Sequence, residues 1–414
     1  MRRAVYLGQK RAGGSREILV FTRDGGPHGQ DRPSVNHVAE DSIGLSTSST
    51  AKAPMPRPAR SWLLGALLVV ALSVPAGRSA AARTVEWADS REAAGNPAYA
   101  ASRAICLGLK AVTVPPADAP DAVAAAGLSD CSSQALYYGI GRPAEPKAAR
   151  LCAVLEKQTA DPQVEDFGFT GDRTLMMVYA NGLGAPRDLD VATALACRTA
   201  AAPAEVDARV RHLARLKAEH WTGTTFSLCD DVTSGLMAGV CADHDQLVAR
   251  ADRAKVLTAL TAGWSKDDRA AFAALDRAKA AFVDAHGENE VDQTGSGRVA
   301  FVVAAEDEGE RAFVTLLEEV EAGKLLPATE AEAKAADAAL AARYHELVAK
   351  GPTFRGTTVT LAGVAATQRA WQRYRDAWVV FAGRKYPTLS PSALLLRLAR
   401  DRTAQLGNVP AMPD

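Results

Sequence analysis

Residues 367–377 read Thr367-Gln368-Arg369-Ala370-Trp371-Gln372-Arg373-Tyr374-Arg375-Asp376-Ala377, and Trp378 and Phe381 follow. The large apolar side chains Trp371, Tyr374, Trp378 and Phe381 are spaced by three and four residues. That is the period of one face of an α-helix; a half-buried strand would alternate every second residue. The stripe therefore predicts a helix whose aromatic face enters a core. Arg369, Arg373 and Arg375 leave the same helix on other faces, where they either bridge to neighbouring helices or contact a partner.

The same period recurs on both sides of this stretch. It runs over Asp245 to Thr261, Lys266 to Ala285, Arg298 to Glu321, Glu330 to Lys350, Leu361 to Ala382 and Ser392 to Leu406. Pro327, Gly351-Pro352 and the segment from Pro387 to Pro391 mark breaks between these segments. Hydrophobic residues make up 48% of the 414-residue chain. They are weighted to Ala rather than to β-branched types, which favours helix over sheet. The expected fold class is all-α, with a helical-bundle C-terminal half.

That half reads as duplicated. His244-Asp245-Gln246-Leu247-Val248-Ala249-Arg250 parallels Tyr344-His345-Glu346-Leu347-Val348-Ala349-Lys350, one hundred residues on. Phe272, Leu275 and Phe282 parallel Trp371, Tyr374 and Phe381 at an offset of 99. The expected units are 226–327 and 328–414. In the second, Asp337 to Tyr344, the Gln368-Arg369-Ala370-Trp371 and Tyr374-Arg375-Asp376-Ala377 motifs, and the Arg-containing helix Leu398 to Leu406 together resemble the lysozyme-inhibitor LprI-type family. The resemblance extends from Asp337 to Leu406. It implies a small exported helical domain, and some members of that family inhibit lysozyme. Family members carry cysteines after the Tyr-Arg-Asp-Ala motif and in the last helix; here Trp378 and Leu396 to Ala399 stand in those places. The second unit must then rely on aromatic packing or on its neighbour.

Upstream, residues 83–225 read as short helical hairpins. Tyr137-Tyr138-Gly139-Ile140-Gly141-Arg142-Pro143 is echoed 43 positions later by Ala180-Asn181-Gly182-Leu183-Gly184-Ala185-Pro186. Each precedes an Ala-rich helical segment, Lys147 to Lys157 and Asp190 to Ala200. Gly ends one helix and Pro restarts the next, while Asp188 and Asp190 favour a helix N-terminus. Gly171-Asp172 through Gly184, with Asp188, Asp190 and Ala192, resembles a Sel-one-like repeat, a relative of the tetratricopeptide hairpin. Such repeats stack into protein-binding solenoids.

Residues 55–82 read as a secretory signal. Arg57 and Arg60 precede the apolar run Leu63 to Val74, and Ser79-Ala80-Ala81-Ala82 supplies a cleavage site. No Cys follows the run, which sets a lipoprotein aside. Residues 1–54, polar and without amphipathic period, are expected to be disordered or to precede the true start at Met55. Beyond the signal lie six cysteines, an even number that suggests disulfides in an oxidising compartment, periplasmic or secreted. Six cysteines allow fifteen pairings. Cys131 and Cys152 fall on the two helices of the first hairpin, and Cys229 and Cys241 bracket a helix entry. Cys197, at the end of the second hairpin, is a candidate partner for Cys106, and the spacing alone leaves the connectivity open. No C-x-x-C occurs, which weakens zinc and thioredoxin-type readings.

The chain is formally neutral but uneven: residues 226–350 hold 23 acidic and 13 basic side chains, and residues 351–414 hold 9 basic and 3 acidic. A general nucleic-acid binder would instead carry a basic stripe. The loop His286 to Gly297 is the most polar past the signal. It lacks the sixth-position glycine and twelfth-position Glu of an EF-hand. Its acids Glu288, Glu290 and Asp292 are expected to form an exposed interaction loop, a candidate partner site alongside Arg369, Arg373 and Arg375. No G-x-S-x-G, H-E-x-x-H or phosphate-binding glycine loop occurs. No catalytic residue, metal site or cofactor is expected. The expected activity is protein binding, with lysozyme or another peptidoglycan-cleaving enzyme as partner. A periplasmic scaffold acting through the helical repeats and an unrecognised hydrolase are the alternatives. Neither a nucleic acid nor a membrane span after signal cleavage is expected.

Overall fold

A computed structural model describes residues 4–12, 15–23, 86–160, 167–349, 354 and 356–410. The chain divides into two units, Met1–Ala76 and Gly77–Asp414. In the first, β1 (Ala4–Ala12) pairs antiparallel with β2 (Ser15–Arg23), from Ala4 opposite Arg23 to Ala12 opposite Ser15. This ribbon differs from the disorder expected of residues 1–54. Val5-Tyr6-Leu7 and Ile18 to Thr22 are the strand-forming residues that the overall polarity of the stretch masked. The signal reading of residues 55–82 lies outside the described residues.

The second unit is all-helical among its described residues, and two hydrophobic cores run through it. The first core gathers α1 (Arg91–Gly95), α2 (Ala100–Gly108), α3 (Ala122–Ala126), α4 (Ser133–Tyr138), α5 (Pro146–Thr159), α6 (Gly171–Asn181), α7 (Leu189–Ala196) and α8 (Pro203–Ala218). Consecutive helices from α4 to α8 pack on one another. Helices α4 and α6 both end at a glycine in the left-handed region, Gly139 (φ 72°) and Gly182 (φ 67°), 43 positions apart. Only glycine takes that conformation without strain. The proline that opens α5 is Pro146, not Pro143, and Asp188 rather than a proline caps α7, accepting from the backbone N–H groups of Asp190 and Val191. Asn181 stitches the second turn to the chain beyond α8: its amide donates to the Phe226 carbonyl and accepts from the Phe226 N–H, both at 2.9 Å.

The second core is built by α9 (Gly235–Thr261), α10 (Lys266–Asn289), α11 (Arg298–Glu321), α12 (Glu330–Ala349), α13 (Leu361–Lys385) and α14 (Pro391–Gly407). Helix α9 starts in the first core, where Met237 is buried, and ends against the second through Leu257 and Leu260. At 27 residues it spans about 40 Å. Helices α10 and α13 run antiparallel through the centre. Phe282 stacks on Tyr374, and Phe272 meets Phe381 at a centroid distance of 5.8 Å. The Thr367 hydroxyl donates to the Ala285 carbonyl at 2.9 Å. Helix α11 lies parallel to α9, with Gln246 donating to Glu306 and Arg253 paired with Asp307 at 2.6 Å. Helix α12 packs on α14 as α9 does on α11, and α10 meets α11 as α13 meets α14. The aromatic stripe is core: Trp371, Tyr374, Trp378 and Phe381 are all buried. Residues 226–327 and 328–414 thus share one core, because the aromatic face of each central helix is covered by the other.

Candidate interaction surface

Helix α10 ends at Asn289, and the chain turns through residues 290–297 before α11 begins. Glu288 is exposed on the last turn of α10. Glu290, expected among the exposed acids, is instead buried with no side-chain exposure. Arg402 of α14 meets it with both terminal nitrogens, at 2.8 and 2.6 Å, in a bidentate pair that is fully buried on both sides. His286 bonds Glu290 at 2.8 Å, and the Arg402 Nε donates to Gln368 of α13 at 3.0 Å. The guanidinium also lies over the Phe282 ring. Burial raises the Glu290 carboxyl, but the bonds from Arg402 and His286 outweigh it and hold the group below the ordinary carboxylate range. A lone buried carboxylate would be costly, so Glu290 is removed from the surface candidates and ties three helices together instead. The sequence signal was present in part: Gln368 opens the Gln-Arg-Ala-Trp motif and Arg402 lies in the Arg-containing last helix, but nothing local pairs either with Glu290.

Asp292 organises the turn. Its carboxylate accepts from the backbone N–H and hydroxyl of Thr294 and from the backbone N–H of Thr358, just ahead of α13. These bonds hold it below the usual aspartate range, so it stays ionised. Gln293 N–H donates to the Thr358 hydroxyl at 2.7 Å, which pins the loop across to the second half of the duplication. Glu288 and Asp292 therefore present negative charge from a braced loop.

The three arginines of α13 separate. Arg369 and Arg373 are exposed one turn apart, and no acid among the described residues lies in ion-pair range of either. Arg375 is half-buried: it stacks over Trp371 and pairs with Asp376 at 2.9 Å and, more loosely, with Asp337 of α12. It is held structurally, whereas the other two are free to meet a partner.

The six cysteines form three disulfides: Cys106–Cys197, Cys131–Cys152 and Cys229–Cys241. Such bonds mark an oxidising compartment. The first joins α2 to the end of α7, the second the α4 entry to α5, and the third the loop after α8 to α9. Residues 321–406 match the family model described as lysozyme inhibitor LprI. The match spans α12 to α14 and includes Gln368, Trp371, Tyr374 and Arg402. No curated protein and no solved structure matches the chain. Where the LprI family carries a cysteine after the Tyr-Arg-Asp-Ala motif, Trp378 is fully buried here against Phe313 of α11 and Phe381.

Among the described residues no cluster of His, Cys, Asp and Glu is arranged to hold a metal ion, and no helix is long and apolar enough to cross a membrane. A cavity between α10, α11, α13 and α14, bordered by Lys279, Tyr374, Asp401 and Gln405, measures about 30 Å³, room for one water.

Proposed function

We propose that this is an exported, non-enzymatic binding protein whose partner is lysozyme or another peptidoglycan-cleaving enzyme. The match of residues 321–406 to the lysozyme-inhibitor family carries the reading. The disulfides support a periplasmic or secreted location, reached through the signal at residues 55–82. The reading takes 226–327 and 328–414 as two copies of one helical unit. Its support is the 99-to-100-residue offset together with matching contacts, α9 with α11 as α12 with α14, about a central antiparallel pair. Contact with the partner is assigned to Glu288 and Asp292 of the braced loop and to Arg369 and Arg373 of α13.

A lysozyme titration tests it. The oxidised protein is added to lysozyme during hydrolysis of bacterial cell walls, with calorimetry alongside. The expected result is loss of activity near one equivalent, with a measurable heat. Unimpaired hydrolysis and no heat at tens of micromolar would refute the partner. A second reading, a scaffold for envelope proteins acting through Sel-one-like hairpins, is favoured by one observation: the turn glycines Gly139 and Gly182 share a left-handed conformation 43 positions apart. Binding of an envelope protein that survives disruption of the Glu288–Gly297 loop would move that reading to first place.

A further inference from the structure

Ten large apolar side chains remain exposed among the described residues. Four of them, Leu236, Val299, Phe301 and Leu361, lie on segments that border the Glu288–Gly297 loop. Isolated exposed leucines need no explanation, but convergence on one end of a bundle does.

The convergence follows from close backbone approach. Helices α9 and α11 start side by side: a Cβ on Gly235 would fall 2.4 Å from Ser296, and one on Gly239 would fall 2.9 Å from the Val299 Cβ. That contact sets Leu236 beside the loop end and leaves Val299 half-covered. The Phe301 ring folds back towards Gly297, within 3.4 Å of where a Cβ would stand, and remains 57% exposed. On the other flank, Thr358 bonds Asp292, and a Cβ on Gly363 would touch Asn289, so Leu361 is held beside the same loop. The apolar groups are thus mounted on a backbone fixed from both sides, which lowers the ordering cost of an interface.

Charge selects the occupant. Stretches 235–247 and 285–297 together carry five acids, Asp243, Asp245, Glu288, Glu290 and Asp292, and neither Lys nor Arg. Arg402 offsets Glu290, and Arg298, at the position after the loop, donates to the Gly295 carbonyl and keeps its positive charge, so Asp243, Asp245, Glu288 and Asp292 leave these stretches net negative. A second copy of this chain would bring the same acids against themselves, and an anionic lipid surface would be repelled likewise. We propose that this end of the C-terminal half is the docking face for a positively charged protein surface, with Leu236 and Phe301 as apolar anchors and Glu288 and Asp292 as the charged rim. The inference rests on the partner class proposed above and locates the acidic part of that contact; Arg369 and Arg373 lie further along α13, outside this face.

The test uses the full oxidised chain and lysozyme, a basic protein, in calorimetric titrations at low and physiological salt. Phe301→Asp and Leu236→Asp should each weaken binding about 30-fold or more, as loss of an interface anchor does. Glu288→Gln with Asp292→Asn should weaken it several-fold, by about 3 to 10, and flatten its salt dependence. Val380→Asp, at an exposed site near the other end of α13, should leave affinity within about threefold. Thermal melts of all variants check that each remains folded. Unchanged affinity in both Phe301→Asp and Leu236→Asp would overturn the docking face and leave the proposed function standing. Absence of any binding by the unaltered protein would overturn both.

Discussion

Helices α1–α8 are short, from 5 residues in α1 to 16 residues in α8. The first core that they form holds or borders every disulfide. Helices α9–α14 are longer, from 17 residues in α14 to 27 residues in α9. Past Cys241 they contain no cysteine. The two regions meet the same demand differently. A helix of one or two turns does not stand alone in water, so α1, α3 and α4 depend on caps, turns and covalent ties. Helices α10 and α11, of 24 residues each, present several turns of apolar face. With α13 they close over Phe272, Phe282, Phe313, Tyr374, Trp378 and Phe381 without a crosslink. The comparison teaches that Trp378 does by packing, in the region matching the LprI model, what a crosslink does in the first core.

The largest expected effect comes from breaking the covalent ties. Cys106–Cys197 closes a separation of 91 residues, against 21 for Cys131–Cys152 and 12 for Cys229–Cys241. On the loop-entropy account these contribute about 4.6, 3.3 and 2.8 kcal/mol. Reduction should unfold α1–α8 while α10–α14 keep their helicity and amide protection. Hydrogen exchange with and without reductant measures this, and equal loss of protection in both regions would show that the second core leans on the first.

Next comes the fully buried ion pair of the second core, Glu290 with Arg402. Arg402→Met leaves Glu290 buried with only its His286 bond, at an expected cost of about 3 to 5 kcal/mol. Adding Glu290→Met should recover most of that loss, because two apolar groups need no partner. Urea unfolding of the two single variants and the double variant gives the coupling. The pH profile carries the same sign. Glu290 titrates below its unfolded value, so its contribution is present above about pH 4.3 and is lost as pH falls through the depressed value. A double variant as unstable as Arg402→Met would mean that the site needs its charges.

The all-α class was legible because periods of three and four persist through long segments, and the stripe from Trp371 to Phe381 lies where its spacing puts it. The hairpin turns were legible because Gly139 and Gly182 occupy positions that glycine alone fits easily. The site was less so. Glu290 reads like its neighbours Glu288 and Asp292 in a polar loop, and its burial depends on Arg402, 112 positions away. No local pattern encodes such a contact. Val299 and Phe301 open α11, and nothing in its helical period signals that they stay exposed. The ribbon of residues 4–12 and 15–23 was missed because charged residues interrupt its apolar runs.

The smallest of the three effects lies at the junction of the regions and shows whether they unfold separately. His244, on α9, stacks on Phe169 at a centroid distance of 3.7 Å, meets the Tyr138 ring edge at 4.2 Å, and bonds Gln134 through Nδ1 at 2.7 Å. Burial among these groups pushes its pKa down to about 4. The unfolded chain then takes up this proton near pH 6.5 and the folded one does not. Stability from the junction is complete above pH 6.5 and is lost as pH falls towards 4, by about 3 kcal/mol in all. His244→Gln removes the titration and should flatten the profile over that window. Unfolding followed at pH 7, 5.5 and 4 separates two cases. If acid loosens α4–α6 while the α10–α13 aromatics stay packed, the cores are energetically distinct and α9 is a strut between them. If both are lost together, α9 transmits the junction's stability along its whole length, and the covalent and aromatic strategies serve one cooperative unit.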